Sequence, residues 1–447
     1  MKIGMVQNTA QAGALSANLR QVVQGCRACL DAGADWVVAS AQALDGAFPE
    51  HLSRRSSFLI QSQAALAALS SELSIPLILA GYAAPPNAPV EQPRPFLLHQ
   101  GAVQPLPNRT VAQVLQHRVF VDASPLPQAA PLGTACDFIV HLPQEPWHLG
   151  QQHAWLRMAQ QEARELRCPV ILMQGIGCSH GALMAGGSLV ATPEGSIQLP
   201  LFQDAERVWH PAARSSQCAT SPAPLSEAAA FCLRLLPDNS ASQGFAVDME
   251  SPRGALLAAL CRQAVGARRV VALASQKTPA AKLAGKFLAL PPMPDASSAQ
   301  LRARYRAALL TTLAEEHELF LLSDASLSSQ LLGAEPAAYG AFAPFGDMLD
   351  SELSLLREQI LRGFSPSMGE LLPPPNSMPP LEEKALRLLV LENRSTLEIA
   401  ATHPDLEEWR LRRLLRQLKP CLSPIPALLL HPTRTRYDVR HSLYGGE

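Results

Sequence analysis

The chain has 447 residues, too many for one ordinary hydrophobic core, so its length predicts two or three domains. Its 37 basic and 38 acidic residues leave a net charge of −1, which excludes a global field that would draw it to nucleic acid or an anionic membrane. No apolar run approaches the roughly 20 residues of a bilayer span, and nine scattered cysteines read as reduced thiols in a cytoplasmic protein. The opening MKIGMVQ alternates like a first strand rather than running apolar like a signal peptide. SANLRQVVQGCRACLDAGA follows as an amphipathic helix ending near Gly33, then DWVVAS as a strand. SSFLIQSQAALAALSSELS reads as a long helix and IPLILAGYA as a strand. Later come DFIVHL (strand), GQQHAWLRMAQQEARELR (helix), CPVILMQG (strand) and SLVATPEGSIQLP, a hairpin turning at Glu194-Gly195.

Around Ser215 to Ser226 the composition shifts to SSQCATSPAPLSEAA, a linker signature. Beyond it GFAVDM, RRVVALAS and LFLLSD read as strands, with ALLAALCRQAVGA and SAQLRARYRAALLTTLAEEHE as the helices among them. LLPPPNSMPP breaks the chain before a helical tail carrying EEKALRLLVLE and EEWRLRRLLRQLK. Strands alternating with helices in both halves predict an α/β protein without internal repeats.

Several stretches share an order as well as a composition. The first half carries MKIGMVQNTAQAGALSANLRQVV, AGADWVV, ALDG and PEHL, then DFIVHLPQEPWHLGQQ and ALMAGGSLVATPEGSI. The second carries QLRARYRAALLTTLAEEHELFLL, YGAFAPFGDMLDSEL and SPSMGELLPP. In this order they resemble the bacterial glutamine-dependent NAD synthetases, nearly end to end. The resemblance implies a nitrilase-like α-β-β-α sandwich over residues 1–214 and a linker over 215–226. Residues 227–447 would form a Rossmann-like parallel-sheet domain of the adenine nucleotide alpha hydrolase type with a helical tail. It also implies chemistry: a Glu base, a Lys on the oxyanion and a Cys nucleophile in the first domain. In the second, a Ser-Gly-Gly-x-Asp-Ser turn holds the pyrophosphate of ATP, with magnesium.

This sequence departs from that pattern at each of those places. The Glu position falls on Ala41, within SAQAL, and a methyl group accepts no proton. The Lys should follow LPN at Leu106 to Asn108; counting forward gives Leu115, and anchoring on the later Arg-x-Phe gives His117. The segment bearing the nucleophile is expected to be missing, because a short proline-rich connection alone separates VFVD from GTACDF. Cys136-Asp137 imitates the nucleophile's local pattern but opens the following strand, so it reads as a structural thiol. MESPRG, Met249 to Gly254, falls on the phosphate signature. Glu250 and Ser251 replace glycines, Pro252 lacks an amide donor, Arg253 replaces the acid, and the Glu250 carboxylate would repel phosphate. The family's Asn-Lys-Ser-Glu falls on SLSS, so its lysine and acid become Leu327 and Ser329.

Other polar features read as structural. Cys26 and Cys29 form a CxxC inside a helix, with no second pair to complete a metal site. HLGQQH, His148 to His153, lacks an acid beside its histidines and predicts no metal. WRLRRLLRQLK, Trp409 to Lys419, reads as a structural or interface helix rather than a nucleic-acid binder. Arg302, Arg304 and Arg306 share one helix, the second and third matching family arginines; a subunit interface is favoured over an anion site. Gly346-Asp347 reads equally as a residual ligand contact or a tight turn. The expected protein is a catalytically inactive paralogue with no catalytic residue, no metal and no cofactor, although the family uses ATP and magnesium. Its candidate nucleotide contacts are Arg304, Arg306 and Asp347. Its expected partner is itself or an active NAD synthetase paralogue, with neither nucleic acid nor membrane. The alternatives are an active NAD synthetase or other amidohydrolase with displaced residues, and a nucleotide-binding sensor.

Overall fold

The computed structural model describes residues 1–46, 50–82, 93–179, 182–211, 225–240, 242–250, 252–292, 298–331, 339–374, 378–392 and 394–417. The chain divides into two compact units, Met1–Ala223 and Pro224–Glu447. The first opens with β1 (Ile3–Gln7), α1 (Leu15–Asp31), β2 (Trp36–Ala41), α2 (Glu50–Ser53), α3 (Ser56–Glu72) and β3 (Leu77–Gly81). Four short strands follow: β4 (Arg94–His99), β5 (Ala102–Pro105), β6 (Thr110–Val114) and β7 (His117–Asp122). Next are β8 (Phe138–His141), α4 (Gln151–Leu166), β9 (Val170–Leu172), β10 (Ile176–Ser179) and β11 (Ala182–Ala185). β12 (Leu189–Thr192), β13 (Gly195–Gln198) and β14 (Ala205–Trp209) complete the unit.

One sheet has the order β14-β1-β2-β3-β4-β5, the other β13-β12-β9-β8-β7-β6, and β10 with β11 forms a separate hairpin. The period-two alternation of the central strands decides how these sheets stack. Met5, Val38 and Ile78 of the first sheet meet Val121, Val140 and Ile171 of the second in a shared core. The residues one step along, Val6, Val37 and Leu79, face α1 and α3. Phe120, Ile139 and Leu172 likewise meet α4 through Trp155, Ala159 and Ala163. Strands buried on both faces need a layer on each side, which yields the expected α-β-β-α sandwich.

The second unit holds α5 (Leu225–Ser240), β15 (Gly244–Asp248), α6 (Pro252–Val265), β16 (Val270–Ala274), β17 (Lys286–Ala289), α7 (Ala299–Glu316) and β18 (Leu319–Leu322). Its sheet, in the order β17-β16-β15-β18, is parallel throughout. Parallel neighbours require crossover connections, and α6 and α7 supply two of them. The tail comprises α8 (Leu327–Leu331), α9 (Asp350–Leu361), α10 (Pro366–Gly369), α11 (Pro380–Leu386), α12 (Thr396–Thr402) and α13 (Glu408–Gln417). Leu327, Leu349, Leu386, Ile399 and Leu411 belong to one apolar cluster that gathers the tail.

Two details differ from the sequence reading. The β12–β13 hairpin pairs Thr192 with Gly195, so its two turn residues are Pro193 and Glu194. Thr192 Oγ1 accepts from the Glu194 and Gly195 amides, which fixes the turn there. Of the expected linker, residues 215–224 lie outside the described residues, and Leu225 already begins α5. Among the described residues no helix is long and apolar enough to cross a membrane.

Gly46 has φ 88, and a Cβ on it would lie 2.3 Å from the Gln11 carbonyl. Gly46→Ala is therefore expected to remove about 3 kcal/mol from the first unit. A urea titration reads this as a lower midpoint at unchanged m value.

Candidate functional site

β2 runs out at Ala41 into a loop whose Gly46 amide donates to the Gln42 carbonyl (2.9 Å). Its register against β3 shifts between Val38 and Ala41, the kind of irregularity that re-aims side chains beside active sites. Ala41 is buried in the core between the sheets. Ser40 Oγ donates to Asn8 Oδ1 (3.3 Å), and Gln42, at φ 59, donates from Nε2 to Gln144 Oε1 (2.9 Å). Gly175 presses on the same place: a Cβ there would stand 3.2 Å from both the Ala41 carbonyl oxygen and Ser40 Oγ. The carboxylate of this loop, Asp45, is buried and accepts from Ser62 Oγ and from the Tyr82 amide (2.6 Å). Burial pushes its pKa up, against the opposing pull of those two hydrogen bonds. Ser40, Ala41 and Gln42 thus offer a hydroxyl, a methyl and an amide, none of which exchanges protons near neutral pH.

The strand beside β8 is present. β7 lies parallel to it, Asp122 opposite His141, and ends at Asp122, before the connection from which the nucleophile-bearing segment was expected to be missing. It carries no cysteine, and the chain from 123 to 137 is neither helix nor strand. Gln42 bonds to Gln144, just past the carboxyl end of β8, so the carboxyl end of β7 lies toward Ala41. Leu115 and His117 occupy the other end of β7, where Val114 pairs with His117 around a two-residue turn. Neither alternative for the lysine therefore stands beside Ala41. The cation placed at the carboxyl end of β7 is Arg109, just after LPN. It donates to Asp122 Oδ2 (3.2 Å) and to the carbonyls of Gln128 (3.1 Å) and Ala129 (3.0 Å).

Asp122 continues into a buried chain of charge. His141 lies between Asp122 Oδ2 (3.3 Å from Nδ1) and Glu162 Oε2 (2.9 Å from Nε2), all three withdrawn from solvent. Burial lowers the His141 pKa, but the hydrogen bonds and charges of Asp122 and Glu162 outweigh it and the net shift is upward. Burial raises that of Asp122, and bonds from His141 and Ser124 prevail to hold it at about 2. Glu162 Oε1 accepts from the Ala130 amide (2.6 Å), so the network pins the loop after β7 onto α4.

The remaining motifs settle into packing. Cys136 packs against the α4 side of its sheet, 3.9 Å from Cys168. Cys26 and Cys29 are buried on the inner face of α1, and burial pushes both thiols up, Cys29 to about 11. His148 does have an acid beside it: Glu145 Oε1 lies 3.1 Å from its Nε2. Among the described residues no group of three or more His, Cys, Asp or Glu side chains is placed to hold a metal ion. In α13, Leu411 and Leu414 enter the tail core while Trp409 is exposed; Leu418 and Lys419 lie outside the described residues.

In the second unit the turn after β15 is filled by the chain itself. Glu250 Oε1 accepts from the Ser275 amide (2.9 Å) and hydroxyl (2.6 Å) at the end of β16. Its Oε2 lies 2.6 Å from Arg306 Nη1, and the other side of that guanidinium forks onto Asp248, Nε at 2.8 Å and Nη2 at 2.5 Å. Burial raises the Glu250 pKa, but Ser275 and Arg306 bring it down overall. Arg306 is therefore an internal counter-ion of Asp248 and Glu250. Arg302 and Arg304 are exposed on α7, and Asp347 is buried in the turn before α9. Of the three candidate nucleotide contacts, Arg306 joins the turn after β15. Arg253 lies 3.9 Å from Asp324 and 3.5 Å from Ser326 Oγ. Ser326 and Ser329 bond each other's amides, and Leu327 is in the apolar tail core. Gly254 is indispensable to this layout, since a Cβ on it would come within 1.8 Å of the Asp248 carbonyl oxygen. Ser251 lies outside the described residues.

No protein-family model matches the chain, and no curated protein matches it in sequence. Solved structures do. A glutamine-dependent NAD+ synthetase from Acinetobacter baumannii, in complex with adenosine diphosphate, superposes with TM-score 0.70 at 16% identity, over 93% of this chain and 92% of that one. A glutamine-dependent NAD(+) synthetase from Cytophaga hutchinsonii gives TM-score 0.77 at 11% identity, over 96% and 94%. The chain has their fold.

Two outcomes follow from the charge networks. Arg306→Ala leaves Asp248 and Glu250 without their counter-ion and is expected to cost about 3 kcal/mol, read by urea unfolding of the second unit. A histidine whose folded pKa is raised lends stability that is complete below about 6.5 and drains away as pH rises through the folded value. Asp122 acts oppositely, its contribution fading as pH falls from about 4 toward its folded value. The thermal midpoint of the first unit is therefore expected to decline on the alkaline side, and His141→Gln to flatten that slope.

Proposed function

We propose that this chain is a catalytically inactive counterpart of the glutamine-dependent NAD synthetases. In this reading the first unit is a degenerate nitrilase-like domain and the second a degenerate synthetase-like domain. The scaffold serves as a structural or regulatory subunit, associating with itself or with an active synthetase in the cytoplasm. The observation that carries the reading is the Glu250 carboxylate on Ser275 and Arg306. A strand-end amide, a hydroxyl and a guanidinium are the groups that would cradle a pyrophosphate. Here a carboxylate fixed in the same chain neutralises them, at an effective concentration of roughly millimolar or more that a free nucleotide must outcompete. Ala41 supports the same conclusion, since a thiol cannot be activated by a methyl group.

Purified protein given ATP and deamido-NAD with glutamine or ammonia is expected to form neither AMP nor NAD above background. Turnover that requires ATP and persists in Cys136→Ala would instead establish an active synthetase with displaced groups. Inorganic pyrophosphate is expected to leave the thermal midpoint of the native protein unchanged. It should stabilise Glu250→Ser by about 2.7 kcal/mol at a hundredfold its Kd. Tagged protein drawn from its own host is expected in a complex; recovery as a lone monomer ends the subunit reading.

A further inference from the structure

Cys136 and Cys168 are 32 positions apart, yet they precede adjacent strands, β8 and β9, whose parallel pairing sets Ile139 against Val170. Their sulfurs lie 3.9 Å apart. A disulfide needs about 2.05 Å, so closure asks ~1.9 Å of two side chains on neighbouring strands, within reach of χ rotation. The pair is unequal. Cys168 is 5% exposed and packed beside Ala163 and Val170, whereas Cys136 is only half-buried.

We propose that Cys136 and Cys168 form a redox couple that a low-molecular-weight disulfide converts to an intramolecular bridge. The reachable sulfur acts first: the Cys136 thiolate attacks one sulfur of the small disulfide, whose S–S bond breaks, and the departing thiolate takes up the proton Cys136 released. The Cys168 sulfur then attacks Cys136 in the mixed disulfide and expels the second small thiol, which carries off the Cys168 proton. Two protein thiols lose two electrons, and one small disulfide becomes two small thiols. A hydrogen bond from Cys168, the chief influence on the Cys136 thiol, lowers its pKa and favours that order.

The bridge has a mechanical effect. The chain between Asp122 and Cys136 is already tied by Ala130 to Glu162, and by Ser124 and Gln128 to Asp122. Oxidation would fasten its far end to the junction of α4 and β9. Cys26 and Cys29 serve as an internal control, because both are buried in α1 beyond the oxidant's reach.

The test uses the full-length, fully reduced protein, equilibrated under native conditions with oxidised glutathione, quenched by alkylation and mapped by mass spectrometry. The expected product is one bridge within the same chain, Cys136 to Cys168, with Cys26 and Cys29 still free and the thermal midpoint raised by about 5–10 °C. Cys168→Ser is expected to stop at glutathione on Cys136, and Cys136→Ser to leave Cys168 unmodified. Recovery of both wild-type thiols in reduced form under excess oxidised glutathione, or a bridge joining a different pair, would overturn the proposal. The wild-type map decides this even if a variant fails to fold.

Discussion

Charge withdrawn from water has to be answered inside the protein, and both units are built around that requirement. In the second unit Arg306 is shared by Asp248 and Glu250, which draws β15, the turn after it, Ser275 and α7 to one point. In the first, Arg109, Asp122, His141 and Glu162 link β7, β8 and α4 with the segment leading into β6 in the same way. Both networks sit at the carboxyl ends of parallel strands, where open α/β sheets ordinarily receive ligands. Internal counter-ions now occupy those ends. The scaffold keeps its layers because these depend on strand alternation and apolar packing, not on the polar groups at the strand ends.

What local pattern encodes is legible in the residues alone. The alternation of KIGMVQ and DFIVHL, the helical period of SANLRQVVQGCRACLD and the order of the motifs point to both α/β units, and Ala41 and Glu250 stand out at strand ends as departures from the pattern the sequence resembles. What depends on distant partners is not legible. Nothing near Glu250 in sequence announces Ser275 or Arg306, and Gln42 meets a residue 102 positions away. Strands β4 to β7 are hard to read because they are short and half-exposed, so their alternation is weak. Leu115 and His117 rest on counting along the chain, which assumes that loop lengths are kept. Arg109 could have been found from its place after LPN, at the edge of a strand.

Gly254 fixes how closely α6 can approach β15. With the first turn of α6 seated against the Asp248 carbonyl, no residue bearing a side-chain carbon fits there unless strand and helix part. Whatever stands at 250, position 254 admits no side chain while strand and helix keep this spacing, so the entry into α6 is set by a backbone contact that substitutions elsewhere in the turn leave in place.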